Sequence, residues 1–230
     1  MSRIRPKDRD AILQSLSAGV VPRRGHQHIQ VGRVDEIRAL MRDLERIADG
    51  GAAVRFVIGR YGSGKTFFMH LVRAIGLEQG LVSMHADLAP DRRLQASGGQ
   101  AQNLYQELAI NVATRTSPEG NALQSVVERF ISRALSEAGE SGRSVSEIMN
   151  DRLGALSEMV GGYDFATVIQ AYWIGHDEGR AELKGHAVRW LRGEYQTKTD
   201  AKRDLGVRTY VDDNSLYDHL KLFARFVRLA

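Results

Sequence analysis

The residues best suited to chemistry lie in one short run of the chain. Residues 59–66 have the order Gly-Arg-Tyr-Gly-Ser-Gly-Lys-Thr, which matches G-x-x-x-x-G-K-[ST] at every fixed position. Glycines in such a loop let several backbone N–H groups point toward one phosphate. The Lys65 ammonium is placed to bridge β- and γ-phosphates, and the Thr66 hydroxyl to coordinate Mg²⁺. The pattern predicts a P-loop that binds ATP with magnesium, with Lys65 as its catalytic residue and Thr66 as its metal ligand.

The predicted nucleotide contacts extend one residue beyond the motif. They are Gly59, Arg60, Tyr61, Gly62, Ser63, Gly64, Lys65, Thr66 and Phe67.

A P-loop must be held between a strand and a helix. The apolar run Ala52–Ile58 predicts a buried strand before the loop, and Lys65–Gly80 predicts a helix after it. Leu81–Leu88 predicts a second strand, and the helical spacing of apolar residues over Val34–Ala48 predicts a helix ahead of the first strand. This order predicts an α/β fold, that of a P-loop NTPase with a parallel sheet flanked by helices.

After Pro90 the pattern becomes mostly helical. Apolar residues recur at helical spacing in five further segments, which are Leu104–Thr114, Ala122–Ala138, Ile148–Val160, Ala166–Ile174 and Ala187–Leu191. We therefore predict three parts: residues 1–90 as the N-terminal part of a P-loop core, 91–206 as a mostly helical segment, and 207–230 as a helix leading back to the core. A final helix is predicted from about Ser215.

The carboxylate that P-loop ATPases use beside Mg²⁺ is not evident in the sequence. Asp212-Asp213 and Asp87 are the two candidates, although Asp213, Asn214 or Ser215 is more simply the N-cap of the last helix. With two predicted strands where about five are usual, we expect an incomplete sheet and a chain that stops before the acidic strand. Such a chain is expected to bind ATP weakly, to hydrolyse it negligibly and to expose apolar surface.

A second segment lies upstream of the loop. Val31-Gly32-Arg33, followed by Glu36, resembles the V-G-R-x-x-E segment of AAA-like ATPases of the origin-recognition and STAND groups. In those proteins the segment precedes a helix and the P-loop strand and lies against the adenine. The resemblance implies that Val31, Gly32 and Arg33 contact the nucleotide.

The likeness extends along most of the chain. Ala11–Pro22, Val31–Arg33 and Ile58–Phe68 resemble the ATP-binding proteins of bacterial BREX-type phage-defence systems, the BrxD-like family. Pro90–Leu94, Gly98–Ala101 and Trp190–Glu194 are similar to that family as well. The resemblance implies an ATPase that acts with other phage-defence proteins on foreign DNA.

Composition limits the remaining choices. The chain has no cysteine, which excludes disulfides and thiolate zinc sites and favours a reducing, cytoplasmic location. No apolar run is long enough for a membrane helix. The net charge of +4 permits contact with DNA without requiring it. The denser basic spots are Arg3–Arg9, Arg23–Arg24 and Arg92–Arg93.

Three functions stay open at this point. The first is a regulatory or motor ATPase that couples ATP to protein or DNA remodelling, compatible with a homo-oligomer. In that case Arg92 and Arg93 are candidate arginine fingers, beside the plainer alternative of local salt bridges. The second is a nucleotide-binding switch or scaffold without useful turnover, and the third is a P-loop small-molecule kinase.

Overall fold

The computed structural model describes residues 4–22, 25–95 and 98–230. It divides the chain into two compact units, Met1–Ser83 and Met84–Ala230. The predicted basic residues Arg3, Arg23 and Arg24 lie outside the described ranges.

The described residues of the first unit form four helices. They are α1 (Pro6–Ser17), α2 (His26–Ile29), α3 (Val34–Ala48) and α4 (Lys65–Glu78). Helix α1 begins with Pro6, whose missing N–H costs nothing in a first turn. Helix α4 buries Phe68, Leu71 and Leu77 and packs against α2 and α3.

The prediction of a parallel α/β sheet is wrong. No β-strand forms within the described ranges, and an isolated bridge joins Ala89 to Arg92. Ala52–Ile58, ahead of the P-loop, has no regular secondary structure. Leu81–Leu88, after α4, forms no strand either and contains a single bridge position at Ser83. An apolar run shows that a segment suits a strand, whereas a strand exists only when a second segment pairs with its backbone.

The unpaired run before the P-loop presents apolar side chains to solvent. Val54 is 82% exposed, Phe56 87% and Ile58 93%. On the opposite side of this run, the Arg55 guanidinium pairs with the Asp43 carboxylate of α3. The run is therefore joined to α3 on one side, while the apolar side chains on its other side are exposed.

The second unit contains seven helices within its described residues. They are α5 (Gln100–Ile110), α6 (Leu123–Ser141), α7 (Val145–Gly154), α8 (Gly162–Asp177), α9 (Ala181–Leu191), α10 (Lys198–Leu205) and α11 (Leu216–Leu229). Aromatic rings of different helices meet in the core: Phe226 lies 5.1 Å from Phe130 and 5.3 Å from Phe165, measured between ring centroids. This unit carries its own core, because large side chains of α5, α6, α8, α9 and α11 are almost completely buried.

Asp164 fixes the segment between α10 and α11. Its carboxylate accepts hydrogen bonds from the backbone N–H groups of Arg208 and Thr209, at 2.9 and 2.7 Å, and from the Thr209 hydroxyl at 2.7 Å. The Trp190 indole donates to the Thr209 carbonyl at 2.7 Å. These bonds satisfy backbone groups that no helix or strand satisfies.

No helix among the described residues is both long enough and apolar enough to cross a membrane.

His219 is the buried histidine among the described residues of the second unit. It is 2% exposed and lies 5.3 Å from the Trp190 ring and 6.1 Å from the Tyr105 ring. Its Nδ1 lies 3.0 Å from the Ser215 carbonyl, and its Nε2 has no hydrogen-bond partner within the described part of the chain. Burial lowers the pKa of His219, an effect that outweighs the Ser215 bond and the nearby carboxylates.

This burial predicts a pH dependence of stability. In the unfolded chain the His219 ring binds a proton near pH 6.5, whereas in the folded chain it does so only at lower pH. The contribution of His219 to the free energy of unfolding is therefore complete above pH 6.5 and is lost as the pH falls. His219→Phe is expected to remove a slope of up to about 1.4 kcal/mol per pH unit below pH 6.5. Urea unfolding followed by tryptophan fluorescence measures this, because Trp173 and Trp190 both lie in the second unit.

His176 provides the matched control, since its side chain is exposed. His176→Gln should leave the slope unchanged. An equal slope in wild type and His219→Phe would show that the buried ring is not its source.

Candidate functional site

The P-loop occupies the turn that leads into α4. Gly62 and Gly64 have φ angles of +76° and +80°, and Gly64 is the N-cap of the helix. Residues that have a Cβ rarely adopt these φ angles. The sequence places glycine at both positions, so the loop can turn sharply and lead its N–H groups into the first turn of α4.

Lys65 folds back across the loop. Its ammonium donates to the Gly59 carbonyl at 2.8 Å and to the Arg60 carbonyl at 2.9 Å. An ammonium held above the loop lies close to where an anion would bind the N-terminus of α4. The Thr66 residue of the same turn is exposed. The Lys65 ammonium, the Thr66 hydroxyl and the backbone of the first helical turn thus lie close together along the chain.

A pocket of about 390 Å³ adjoins the loop. Its wall is mostly apolar and comes from α1, α2, the segment before α3, and α4: Leu16, Ile29, Gln30, Val31, Arg33, Gly64, Phe67 and Leu71. A pocket with apolar walls and few polar groups suits a flat aromatic base. The predicted upstream segment and the predicted P-loop therefore meet at one cavity.

The upstream segment also makes polar contacts around this cavity. The Gln30 amide donates to the Gly32 carbonyl at 2.7 Å. The Arg33 guanidinium donates to the Ser63 carbonyl in the P-loop, and it lies 5.4 Å from the centre of the Phe68 ring. Arg33 thus connects the two predicted segments directly.

The predicted site residues are not all equally close to the cavity. Val31, Arg33, Gly64 and Phe67 line it, whereas Arg60 and Tyr61 are exposed at the outer turn of the loop. Sequence reasoning did not select four lining residues, which are Leu16, Ile29, Gln30 and Leu71. These residues lie on the apolar face of a helix or in a short connecting segment. Core residues have the same sequence pattern, so the pattern does not distinguish a pocket wall from the core.

The acidic candidates have structural partners. Asp213 accepts backbone N–H bonds from Gly99 at 2.7 Å, Ala101 at 2.9 Å and Gln102 at 3.1 Å, so it caps the N-terminus of α5. Burial alone would raise the pKa of this carboxyl, and the three N–H groups lower it below its usual value. Asp212 accepts from the N–H groups of Asn214 and Ser215 and so forms the turn that opens α11.

The other charged candidates also differ in their surroundings. Asp87 is exposed and belongs to the second unit. The Arg92 guanidinium lies 3.2 Å from the Glu107 carboxylate, which gives Arg92 the local ion pair considered above. Within the described ranges no group of three or more His, Asp or Glu side chains could hold a metal ion. Thr66 is the metal ligand that the motif predicts, and Mg²⁺ in such sites takes its other ligands from phosphate and water.

Comparison with known proteins gives one family. The family model described as BREX system ATP-binding protein BrxC/D matches residues 4–230. No curated protein and no solved structure matches the chain.

Proposed function

This chain belongs to the BREX system ATP-binding protein BrxC/D family, and on that premise we propose that Gly59–Thr66 holds the phosphates of ATP with Mg²⁺. The base and ribose then occupy the adjoining pocket between Val31, Phe67 and Leu71. One observation carries this proposal: the upstream segment and the P-loop, 30 residues apart, line the same apolar pocket beside the N-terminus of α4.

The contacts of Lys65 suggest how the phosphates enter. Its ammonium is held by the carbonyls of Gly59 and Arg60, at 2.8 and 2.9 Å. Phosphate oxygens are stronger acceptors for an ammonium than neutral carbonyls. We propose that ATP draws Lys65 from these carbonyls onto the β- and γ-phosphates, while backbone N–H groups of the loop take the oxygens that remain.

Membership of this family identifies the chain as an ATP-binding component of BREX phage defence. We propose that it couples ATP to the remodelling of a protein or DNA partner, and that other proteins of the defence system are those partners. Contact with DNA rests on the net charge of +4, and a cytoplasmic location on the absence of cysteine.

A nucleotide-binding switch is the second candidate, favoured by a specific observation. The carboxylates of Asp212 and Asp213 are both taken up by backbone N–H groups. These bonds give both residues a capping role at the start of a helix, through both oxygens of Asp213 and through Oδ1 of Asp212. Measurement of phosphate release by the chain distinguishes slow or absent turnover from a working ATPase.

Thr66→Ala tests the magnesium part of the proposal. Wild-type protein should bind ATP more tightly with Mg²⁺ than with EDTA. In the variant the ratio of these two affinities should be about tenfold smaller, because the missing hydroxyl is the proposed ligand of the ion. Equilibrium titration with a fluorescent ATP analogue measures both affinities.

Thr66→Ser is the matched control, since it keeps the hydroxyl and should keep the gain. A Thr66→Ala protein whose affinity rises with Mg²⁺ as much as wild type would remove Thr66 from the metal site.

A further inference from the structure

Arg33 has a backbone conformation that arginine rarely adopts. Its φ and ψ are 57° and 27°, in the left-handed region, at the N-cap of α3. Among the described residues other than glycine, Asn121 is the one further case with positive φ. Asparagine tolerates this region, whereas a long side chain adopts it at a cost. Contacts of the side chain must therefore hold Arg33 in place.

Those contacts lie on the P-loop side. The guanidinium donates to the Ser63 carbonyl and lies 5.4 Å from the centre of the Phe68 ring. Phe68 is 6% exposed, so the ring is a fixed part of the core of the first unit. A Cβ added at Gly64 would lie 3.3 Å from the guanidinium Nη2, which shows how closely Arg33 approaches the loop backbone.

The bond to Ser63 has a consequence for the next residue. The peptide unit is planar, and its C=O and N–H point in opposite directions. A guanidinium that fixes the Ser63 carbonyl on one side therefore turns the Gly64 N–H to the other side. The Gly64 N–H belongs to the group of donors that a P-loop directs at phosphate.

We propose that Arg33 is a positioning residue, which holds the Ser63–Gly64 peptide in the orientation that receives phosphate. It acts through the loop backbone and not by contact with the base. The inference rests on the proposed function, because it concerns how the same site accepts the phosphates of ATP. It also explains the left-handed backbone of Arg33, which brings the side chain to the loop from the start of α3.

Arg33→Gly is the informative variant. Glycine keeps the left-handed backbone without strain and removes the guanidinium. We expect the affinity for ADP to fall about tenfold and the affinity for adenosine to change less than twofold, since adenosine has no phosphate for the loop to bind. Competition against a fluorescent ATP analogue measures both ligands on the full chain.

Arg38→Ala is the control for loss of one positive charge from the same helix. Arg38 is exposed and pairs with Asp35 at 2.7 Å. It should bind ADP and adenosine as wild type does.

A second measurement needs no nucleotide. Tyr61 is fully exposed in the loop, so chymotrypsin cleavage after it reports how firmly the loop is held. Arg33→Gly should be cut several-fold faster there than wild type, as quantified by mass spectrometry.

The outcomes separate this inference from the proposed function. A selective loss of ADP affinity supports the positioning role. Equal losses for ADP and adenosine, or no loss, overturn it. If wild-type protein binds neither ligand, the proposed function fails; the cleavage rate then decides, and an unchanged rate in Arg33→Gly overturns the positioning role.

Discussion

Lys65→Ala is expected to weaken ATP binding at least about a hundredfold and to abolish any hydrolysis. In the proposed complex the ammonium forms charge-assisted hydrogen bonds to phosphate, each worth about 1.5–3 kcal/mol. A hundredfold in affinity corresponds to about 2.7 kcal/mol. Within the first unit, Lys65 is the lysine that the loop geometry brings to the N-terminus of α4. Calorimetric titration with ATP and Mg²⁺ measures the loss.

The variant should remain folded, because Lys65 contacts loop carbonyls and not the core. Lys221→Ala, which removes an exposed lysine paired with Asp218 in the second unit, is the matched control and should bind as wild type does. Equal affinities for Lys65→Ala and wild type would mean that Gly59–Thr66 is not the phosphate site.

Asp213→Ala is expected to lower the free energy of unfolding of the second unit by about 2–3 kcal/mol. The carboxylate accepts three backbone N–H bonds at the start of α5. Hydrogen bonds to a charged group are worth more than neutral ones, and removal of the carboxylate leaves the three N–H groups without their acceptor. Its lowered pKa means that the stabilisation is present above about pH 4 and is lost as the pH falls through the folded-state pKa. Urea unfolding followed by tryptophan fluorescence measures the change.

Asp212→Ala is the control for this prediction. Asp212 accepts from two neighbouring N–H groups and caps only its own turn, so its loss should cost about 1 kcal/mol. An Asp213→Ala protein of unchanged stability but lost ATP hydrolysis would contradict the capping role and make Asp213 a catalytic carboxylate.

Helices followed from the sequence because their evidence is local. Apolar spacing predicted α3 over Val34–Ala48, and the structure confirms those bounds. The last helix, expected from about Ser215, begins at Leu216. Helix α10 was missed, since it buries only Ala201 and Leu205 and gives little periodicity, although Thr197 accepts the Asp200 N–H as a helix cap.

The prediction of a sheet was wrong for the opposite reason, because the evidence for a strand is not local. Ala52–Ile58 has the composition of a buried strand, and its side chains at Val54, Phe56 and Ile58 are exposed because no segment pairs with it in the described structure. A strand depends on its neighbour, and one segment does not encode the neighbour.

The same distinction holds within the site. The spacing of Gly59, Gly64 and Lys65 predicted the loop, because the motif carries its own geometry. Leu16 lines the pocket only because distant segments pack together. The same is true in the second unit of the bond from Gly99 to Asp213, which joins residues 114 positions apart.

The central claim is that ATP binds with its phosphates on Gly59–Thr66 and its base in the adjoining pocket. A crystal structure of the chain with ADP and Mg²⁺ tests it most directly. We expect the β-phosphate beside the N–H groups of Gly64 and Lys65, and the adenine between Val31 and Phe67. Nucleotide bound elsewhere on the chain, with Lys65 still on the Gly59 and Arg60 carbonyls, would contradict the claim.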